Sequence, residues 1–303
     1  MIGVAGQKRV PEEWLCDYRL PITDLQQQWR IAEYLDSETA RIDSLISKKR
    51  RLVELLNRRR QAVIAAALTG KIVVDDGLPD QAHGGGQHFD SQREQLREIR
   101  PLRAYAEVHL GRQRSPQHDT GPYMTQYLRA ANVKDGELDL SDVKSMNFEP
   151  DERDQFSLQQ GDVLVTEGSG SITAVGASAV WNGEIEGTVC FQNTLLRLRP
   201  RGSTDPRFLA WWCRYAYADG LFASVAQGAN IHHISAERVR SLSMVYVPPA
   251  TQQAIADYLD AETSRINSII EREHQTVNLL VERRRTLITA IVTGEMTVPR
   301  TGT

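Results

Sequence analysis

Residues 34–46 read YLDSETARIDSLI, and residues 258–270 read YLDAETSRINSII. The chain therefore writes one segment twice, at a constant offset of 224. No other feature constrains the fold as tightly. The match runs over Tyr34–Gly70 and Tyr258–Gly294. It includes Leu35/Leu259, Asp36/Asp260, Glu38/Glu262, Arg41/Arg265, Ile42/Ile266, Leu55/Leu279, Leu56/Leu280, Arg59/Arg283, Arg60/Arg284, Ile64/Ile288 and Thr69-Gly70/Thr293-Gly294.

Inside each copy, apolar residues recur at steps of three, four and seven. The first carries Ile31, Leu35, Ile42, Leu45/Ile46, Leu52, Leu55/Leu56, Val63 and Leu68. The second carries Ile255, Leu259, Ile266, Ile269/Ile270, Val277, Leu279/Leu280, Leu287 and Ile291. No Pro or Gly interrupts either run, so each predicts a long helix with a narrow apolar seam. A Thr lies just before each run and suits an N-cap region, and the terminal Gly suits the position just past a helix end. One such helix cannot bury its seam alone, so the two most simply pack on each other. A structural coil explains the seam but not the matched Asp36/Asp260 and Arg41/Arg265. Duplicated polar detail points to a duplicated surface, such as one that docks two copies of a partner.

Net charge is −3, so composition does not announce nucleic acid. The charge is nevertheless clustered. KKRRLVELLNRRR (48–60) is strongly basic, Arg272 and Arg283–Arg285 repeat the theme, and 139–167 is acidic. A basic run is read either as a solvated face or as a contact for phosphate or an acidic partner. Cys16, Cys190 and Cys213 form no CxxC pair, which fits a reducing, cytoplasmic setting. The first residues lack the apolar core of a signal peptide, and no apolar run is long enough to span a membrane.

Between the copies, DDGLPDQAHGGGQHFDS (75–91) reads as a polar, glycine-rich linker. His83 and His88 lie there without metal-spaced partners. Residues 99–248 read as a separate mixed domain. YAEVHLG (105–111) is a strand ending in a turn. YLRAANVKDGELDL (127–140) is strand, turn, strand, and GDVLVTEGSGSITAVGASAVW (161–181) is strand, glycine-rich loop, strand. FQNTLLRLRP (191–200) alternates Leu196/Leu198 with Arg197/Arg199, one face in and one out. DPRFLAWWCRYAY (205–217) is a helix with Phe208, Leu209, Trp212 and Tyr215 on its core side. ISAERVRSL (234–242) is a short helix capped by Ser235.

Three polar loops carry the candidate binding residues. GRQRSPQ (111–117) offers Arg112, Arg114 and Ser115. TEGSGS (166–171) offers Ser169. AQGANIHH (226–233) offers Gln227, Asn230 and His232. Arg matches the guanine edge, Asn and Gln match adenine, and Gly admits close backbone approach. GSGS lacks the context of a phosphate loop, and His232-His233 lack the carboxylates of a metal or catalytic set. There is also no Walker sequence, no methyltransferase signature and no nuclease constellation.

Taken together, these segments resemble the specificity (S) subunit of type I restriction-modification systems. The resemblance rests on QQWRIAEYLDSETARIDSLI and LLNRRRQAVIAAALTGKI with their second copies QQAIADYLDAETSRINSII and LLVERRRTLITAIVTGEM. YLRAANVKDGELDL, GDVLVTEGSGS and QGANIHHIS are similar to its target recognition domain. It implies an α+β chain, in which a mixed α/β target recognition domain is flanked by two long helices forming an antiparallel coiled coil. The implied division is 1–27, tail of a first recognition domain; 28–70, conserved helix; 71–98, linker; 99–250, recognition domain; 251–294, second conserved helix; 295–303, C-terminal tail.

The implied function is non-catalytic recognition of a bipartite double-stranded DNA target, for methyltransferase (M) and restriction (R) subunits. S-adenosylmethionine, ATP and Mg are implied for those partners and no cofactor for this chain. Tyr34, Asp36, Arg41, Arg59, Arg60, Tyr258, Asp260, Arg265, Arg283 and Arg284 then become the expected partner-binding positions. One departure stands out, since the body of a first recognition domain is missing before VPEEWLCDYRLPITDL. Self-association or a second specificity chain would restore the second reader. A truncated scaffold or decoy that only holds methyltransferase subunits is the alternative, and a nuclease is a third.

Overall fold

The computed structural model describes residues 16–17, 23–72, 98–169, 171, 174–228 and 232–299. The glycine-rich segment with His83 and His88 lies outside them. In chain order the elements begin with a 44-residue helix, α1 (Leu25–Leu68). Strands β1 (Ile99–Pro101), β2 (Ala106–Leu110), β3 (Met124–Leu128), β4 (Val133–Lys134), β5 (Glu137–Leu138) and β6 (Lys144–Asn147) follow. Next come α2 (Pro150–Phe156), β7 (Val163–Thr166), β8 (Gly168–Ser169), β9 (Ser178–Val180), β10 (Val189–Phe191) and β11 (Leu195–Pro200). The chain continues through α3 (Pro206–Ala218), α4 (Leu221–Ser224), β12 (His232–His233), α5 (Ala236–Arg240) and β13 (Ser243–Val245). It closes with a second 44-residue helix, α6 (Pro249–Val292).

Two compact units divide this chain. One joins Met1–Asn57 to Ile266–Thr303, and the other is Arg58–Arg265. In the first unit α1 and α6 pack antiparallel. Lys49 Nζ lies 2.8 Å from Glu273, and Arg284 lies 3.3 Å from Asp43. Ile42, Ile46, Ile266 and Ile291 are buried along the seam. The seam is narrower than the sequence periodicity suggests. Leu45, Leu52, Leu55 and Leu279 stay exposed, because two helices cover only one stripe of each other.

The helix ends follow local chemistry. The Asp24 carboxylate accepts the Gln27 N–H at 2.8 Å, so Asp24 rather than Thr23 caps α1. Helix α6 starts at Pro249, whose fixed φ and missing N–H suit a first turn, and Thr251 lies inside it. Gly70 and Gly294 take φ of 68° and 80°, the left-handed conformation that ends a helix.

The second unit is built on an antiparallel sheet of order β2-β11-β7-β9. Apolar residues cover both of its faces. On one side, Val108, Val163, Val165, Leu196 and Leu198 join Phe208, Leu209 and Trp212 of α3. Ile64, Ala67 and Leu68 of α1 and Ile255, Ala256 and Leu259 of α6 enter the same core. The domain thus uses the ends of both long helices as part of its hydrophobic core. On the other side, Leu164, Ala179 and Leu195 meet Leu128, Trp181, Val189 and Phe191. A three-stranded sheet, β10-β3-β6, holds this second layer.

Strand β11 departs from a one-face-in reading. Arg197 is buried, donates to the Gln155 and Ser157 carbonyls at 3.1 and 2.8 Å, and lies 5.2 Å from the Phe191 ring centroid. These contacts hold a charge inside because backbone oxygens replace its water. Arg199 pairs with Asp162 at 2.7 Å.

Candidate nucleic-acid interface

The first two polar loops leave one end of the β2-β11-β7 sheet. Register makes this so: Leu110 faces Leu196 and Thr166 faces Leu195, so the end of β2, the end of β7 and the start of β11 coincide. The turn before β11 ties the loops together. Asn193 N donates to Arg112 O at 3.0 Å, and Glu167 N donates to Thr194 O at 2.9 Å. Gln192 also bridges Arg112 in parallel fashion. Gly111 permits this approach, since a Cβ there would stand 2.2 Å from Gln192 O.

The second and third loops join directly. β8 pairs antiparallel with β12, placing His232 opposite Ser169 and His233 opposite Gly168. Gln227 and His233 exchange backbone hydrogen bonds at 2.9 and 2.8 Å, which closes the third loop as a hairpin. His233 Nδ1 lies 2.9 Å from Glu167 Oε2, so this histidine is held beside the second loop.

The candidate side chains meet different fates. Arg114 is exposed and pairs with Asp119 at 3.2 Å, an ion pair that solvent screens. Gln227 is exposed, while Ser115 and His232 are half-buried. Asn230 lies outside the described residues, and Ser169 is placed only through its backbone pairing. Arg112 is the correction. Its side chain is 7% exposed, its Nε donates to Glu152 Oε1 at 2.7 Å, and its guanidinium lies 5.0 Å from the Phe148 ring centroid. It stabilises the base of the loop from within and offers no fork to a groove. Burial pushes the Glu152 carboxyl up, but hydrogen bonds from Arg112 and the Glu149 backbone outweigh this and hold it below its usual value.

Sequence reasoning passed over Gln192 and Asn193. Both are half-buried in the turn that joins the loops, and their amide chemistry suits base edges. Their signal in the sequence is only an Asn/Gln pair ahead of a strand, which many turns share. Cys190 and Cys213 are buried in separate core clusters, and burial pushes the Cys190 thiol up to about 12.

The repeated polar positions also have internal partners. Asp260 accepts the Trp211 indole N–H at 2.8 Å and the Arg207 guanidinium at 3.1 Å, and so clasps α3 to α6. Arg59 pairs with Glu262 at 3.3 Å, with Arg265 3.6 Å from the same residue, and Tyr258 packs on the domain core. Arg41 lies 3.8 Å from Glu38. Arg283 and Asp36 are exposed, and Tyr34 and Arg60 are half-buried. The duplicated residues therefore serve the coil and the domain clasp before any outside partner is invoked. Among the described residues, no group of His, Cys, Asp and Glu is arranged to hold a metal, and no helix is long and apolar enough to cross a membrane.

A mixed domain that takes the ends of two long helices into its core and gathers polar loops at one end of its sheet defines a recognition module. Residues 106–279 match the family described as the type I restriction modification DNA specificity domain, and the chain belongs to that family. It is 23% identical over 262 residues to the type I restriction enzyme EcoKI specificity subunit of Escherichia coli strain K12, covering 84% of this chain and 54% of that one. It is 27% identical over 267 residues to the StySPI specificity subunit of Salmonella potsdam, with the same coverages. The chain spans about half the length of these curated relatives. Two solved structures share its fold. One is titled for the assembly of the type I R-M system, with TM-score 0.67, 15% identity and coverage of 91% of this chain and 62% of that chain. The other is the HsdS subunit of Thermoanaerobacter tengcongensis, with TM-score 0.58, 15% identity and coverage of 97% and 65%.

Proposed function

We propose that this chain reads DNA sequence for a type I restriction-modification assembly. Residues 99–250 act as the recognition domain, and the helices at 28–70 and 251–294 form the frame that docks the methyltransferase subunits. Restriction subunits join that assembly at a bipartite double-stranded target. The chain carries out no chemistry itself, and S-adenosylmethionine, ATP and Mg act on the partner subunits. The observation that carries this reading is that the first two polar loops meet at the Gln192–Thr194 turn and the third pairs with the second. That edge presents Arg114, Ser115, Gln227 and His232 together with Gln192 and Asn193. Exposed Leu55 and Leu279, at equivalent places in the two copies, support a repeated docking face on the helices.

The test is to map methylated bases in genomic DNA from cells carrying the modification subunit, with and without this gene. A new split motif that depends on the gene is the expected result. Absence of any such motif, with the chain still bound to the methyltransferase, would leave a scaffold or decoy and overturn the proposal.

A further inference from the structure

Helix α3 lines a cavity of about 160 Å³ with one stripe of its surface, Arg207, Ala210, Trp211 and Arg214, spaced by three and four residues. Strands β7 and β9 supply Val163, Ser178 and Val180 to its walls, and the turn between β4 and β5 supplies Gly136. Asp260 of α6 completes the lining, and all of these residues belong to the unit Arg58–Arg265. The cavity exists because Gly136, Ser178 and Ala210 are small. They leave open a space that a helix packed on a sheet ordinarily fills. It is separate from the recognition loops. Val163 and Val180 pair at one end of the sheet, and β7 runs from there to Thr166 before the second loop begins.

Two buried polar atoms of this lining, Ser178 Oγ and Arg214 Nε, have no hydrogen-bond partner among the described residues. Ser178 is 1% exposed. Arg214 Nε stands 3.6 Å from Asp135 Oδ1, beyond hydrogen-bond reach. Gly136 brings the two residues together. Its N–H donates to the Ser178 carbonyl at 2.7 Å, and a Cβ on it would stand 3.1 Å from Arg214 Nε. The other polar groups are committed. Asp260 accepts the Trp211 indole N–H at 2.8 Å and Arg207 at 3.1 Å, and Arg207 also meets Asp257 at 2.7 Å. The cavity therefore offers one hydroxyl and one N–H beside an apolar wall of Val163, Val180 and Ala210.

The geometry points to a binding site for a small uncharged molecule, a single ring that bears a carbonyl oxygen, of the aromatic-amide or lactam class. The oxygen accepts from Ser178 Oγ and Arg214 Nε, and the ring lies against Val163, Val180 and Ala210. Arg214 Nε can only donate, so the ligand must supply the acceptor. Size limits the ligand to one ring, since an apolar cavity of about 150 Å³ holds benzene. Charge requires it to be neutral. Arg207 already faces Asp257 and Asp260, and Arg214 faces Asp135, so a buried ionised ligand would find no free counter-charge. A bound ring ties α3 to β9 where Asp260 clasps α3 to α6.

The test titrates nicotinamide, a neutral ring amide, into the isotope-labelled full chain and follows the Gly136 amide and Trp211 indole resonances. Both should shift saturably, with a midpoint of about 1 mM or lower. Ser178→Ala removes a hydroxyl that has no internal partner, so it should fold as the native chain does and bind about tenfold more weakly. Nicotinate, the same ring carrying a charge, should bind the native chain weaker than nicotinamide by about tenfold or more. Absent or unsaturable shifts overturn the inference, as does equal binding by Ser178→Ala or of nicotinate. A crystal soaked in nicotinamide in which water alone meets Ser178 Oγ and Arg214 Nε overturns it too.

Discussion

At the residue scale, identical side chains do different work because of what surrounds them. Asp260 and Asp36 are repeat partners, yet only Asp260 meets Trp211 and Arg207. Asp260→Ala leaves a largely buried indole N–H without an acceptor and should cost about 1–3 kcal/mol. Asp36→Ala removes an exposed carboxylate and should change stability by less than about 0.5 kcal/mol. Denaturant midpoints of the two variants check this contrast. The arginines of the first loop divide in the same way. Arg112→Ala breaks a largely buried pair and should cost about 2 kcal/mol, while Arg114→Ala should leave stability unchanged and weaken DNA binding. The folded-state carboxyl of Glu152 titrates below its usual 4.5, so its contribution is present above that pH and lost as the pH falls through the lower value. Stability measured from pH 7 to pH 3 should show this loss in the native chain and less of it in Arg112→Ala.

At the scale of elements, the long helices choose their partner through charge. Lys49 and Glu273 are themselves repeat-equivalent, 224 residues apart, and they face each other at 2.8 Å. Two copies of one helix paired about this point would bring Lys against Lys, or Glu against Glu. Opposite charges at equivalent places therefore favour pairing of α1 with α6 over pairing of like with like. Lys49→Glu should lower the stability of the coil by about 1 kcal/mol, and Lys49→Glu combined with Glu273→Lys should recover it. Thermal melts of the three chains measure the coupling. The same scale explains the errors about β11 and the seam. Strand alternation marks which side chains share a face but not whether α2 covers that face, and heptad spacing overstates how much of a seam two helices can hide.

At the scale of the whole molecule, polar loops far apart in sequence come to one sheet edge. Binding to duplex DNA should weaken as salt rises, with a log–log slope of about −0.9 per phosphate neutralised. Replacing Gln192 and Asn193 by Ala should relax base preference while changing that slope little, because amides read bases and release no counterions. Competition binding with target and non-target duplexes at several salt concentrations separates the two effects. Uniform loss on all sequences would remove the turn from base readout.

The sequence by itself determined the long helices, their caps at Gly70 and Gly294, most strands and helices of the central domain, and the family. These follow from local periodicity, turn chemistry and a repeat visible without coordinates. Only the tertiary structure decided that Arg112 is buried and Arg114 is not, and that Gln192–Asn193 joins the loops. It also decided that Asp260 is engaged where Asp36 is open. Those differences depend on which segments 40 or more residues apart meet, and strand register and packing set that, not the residue types alone.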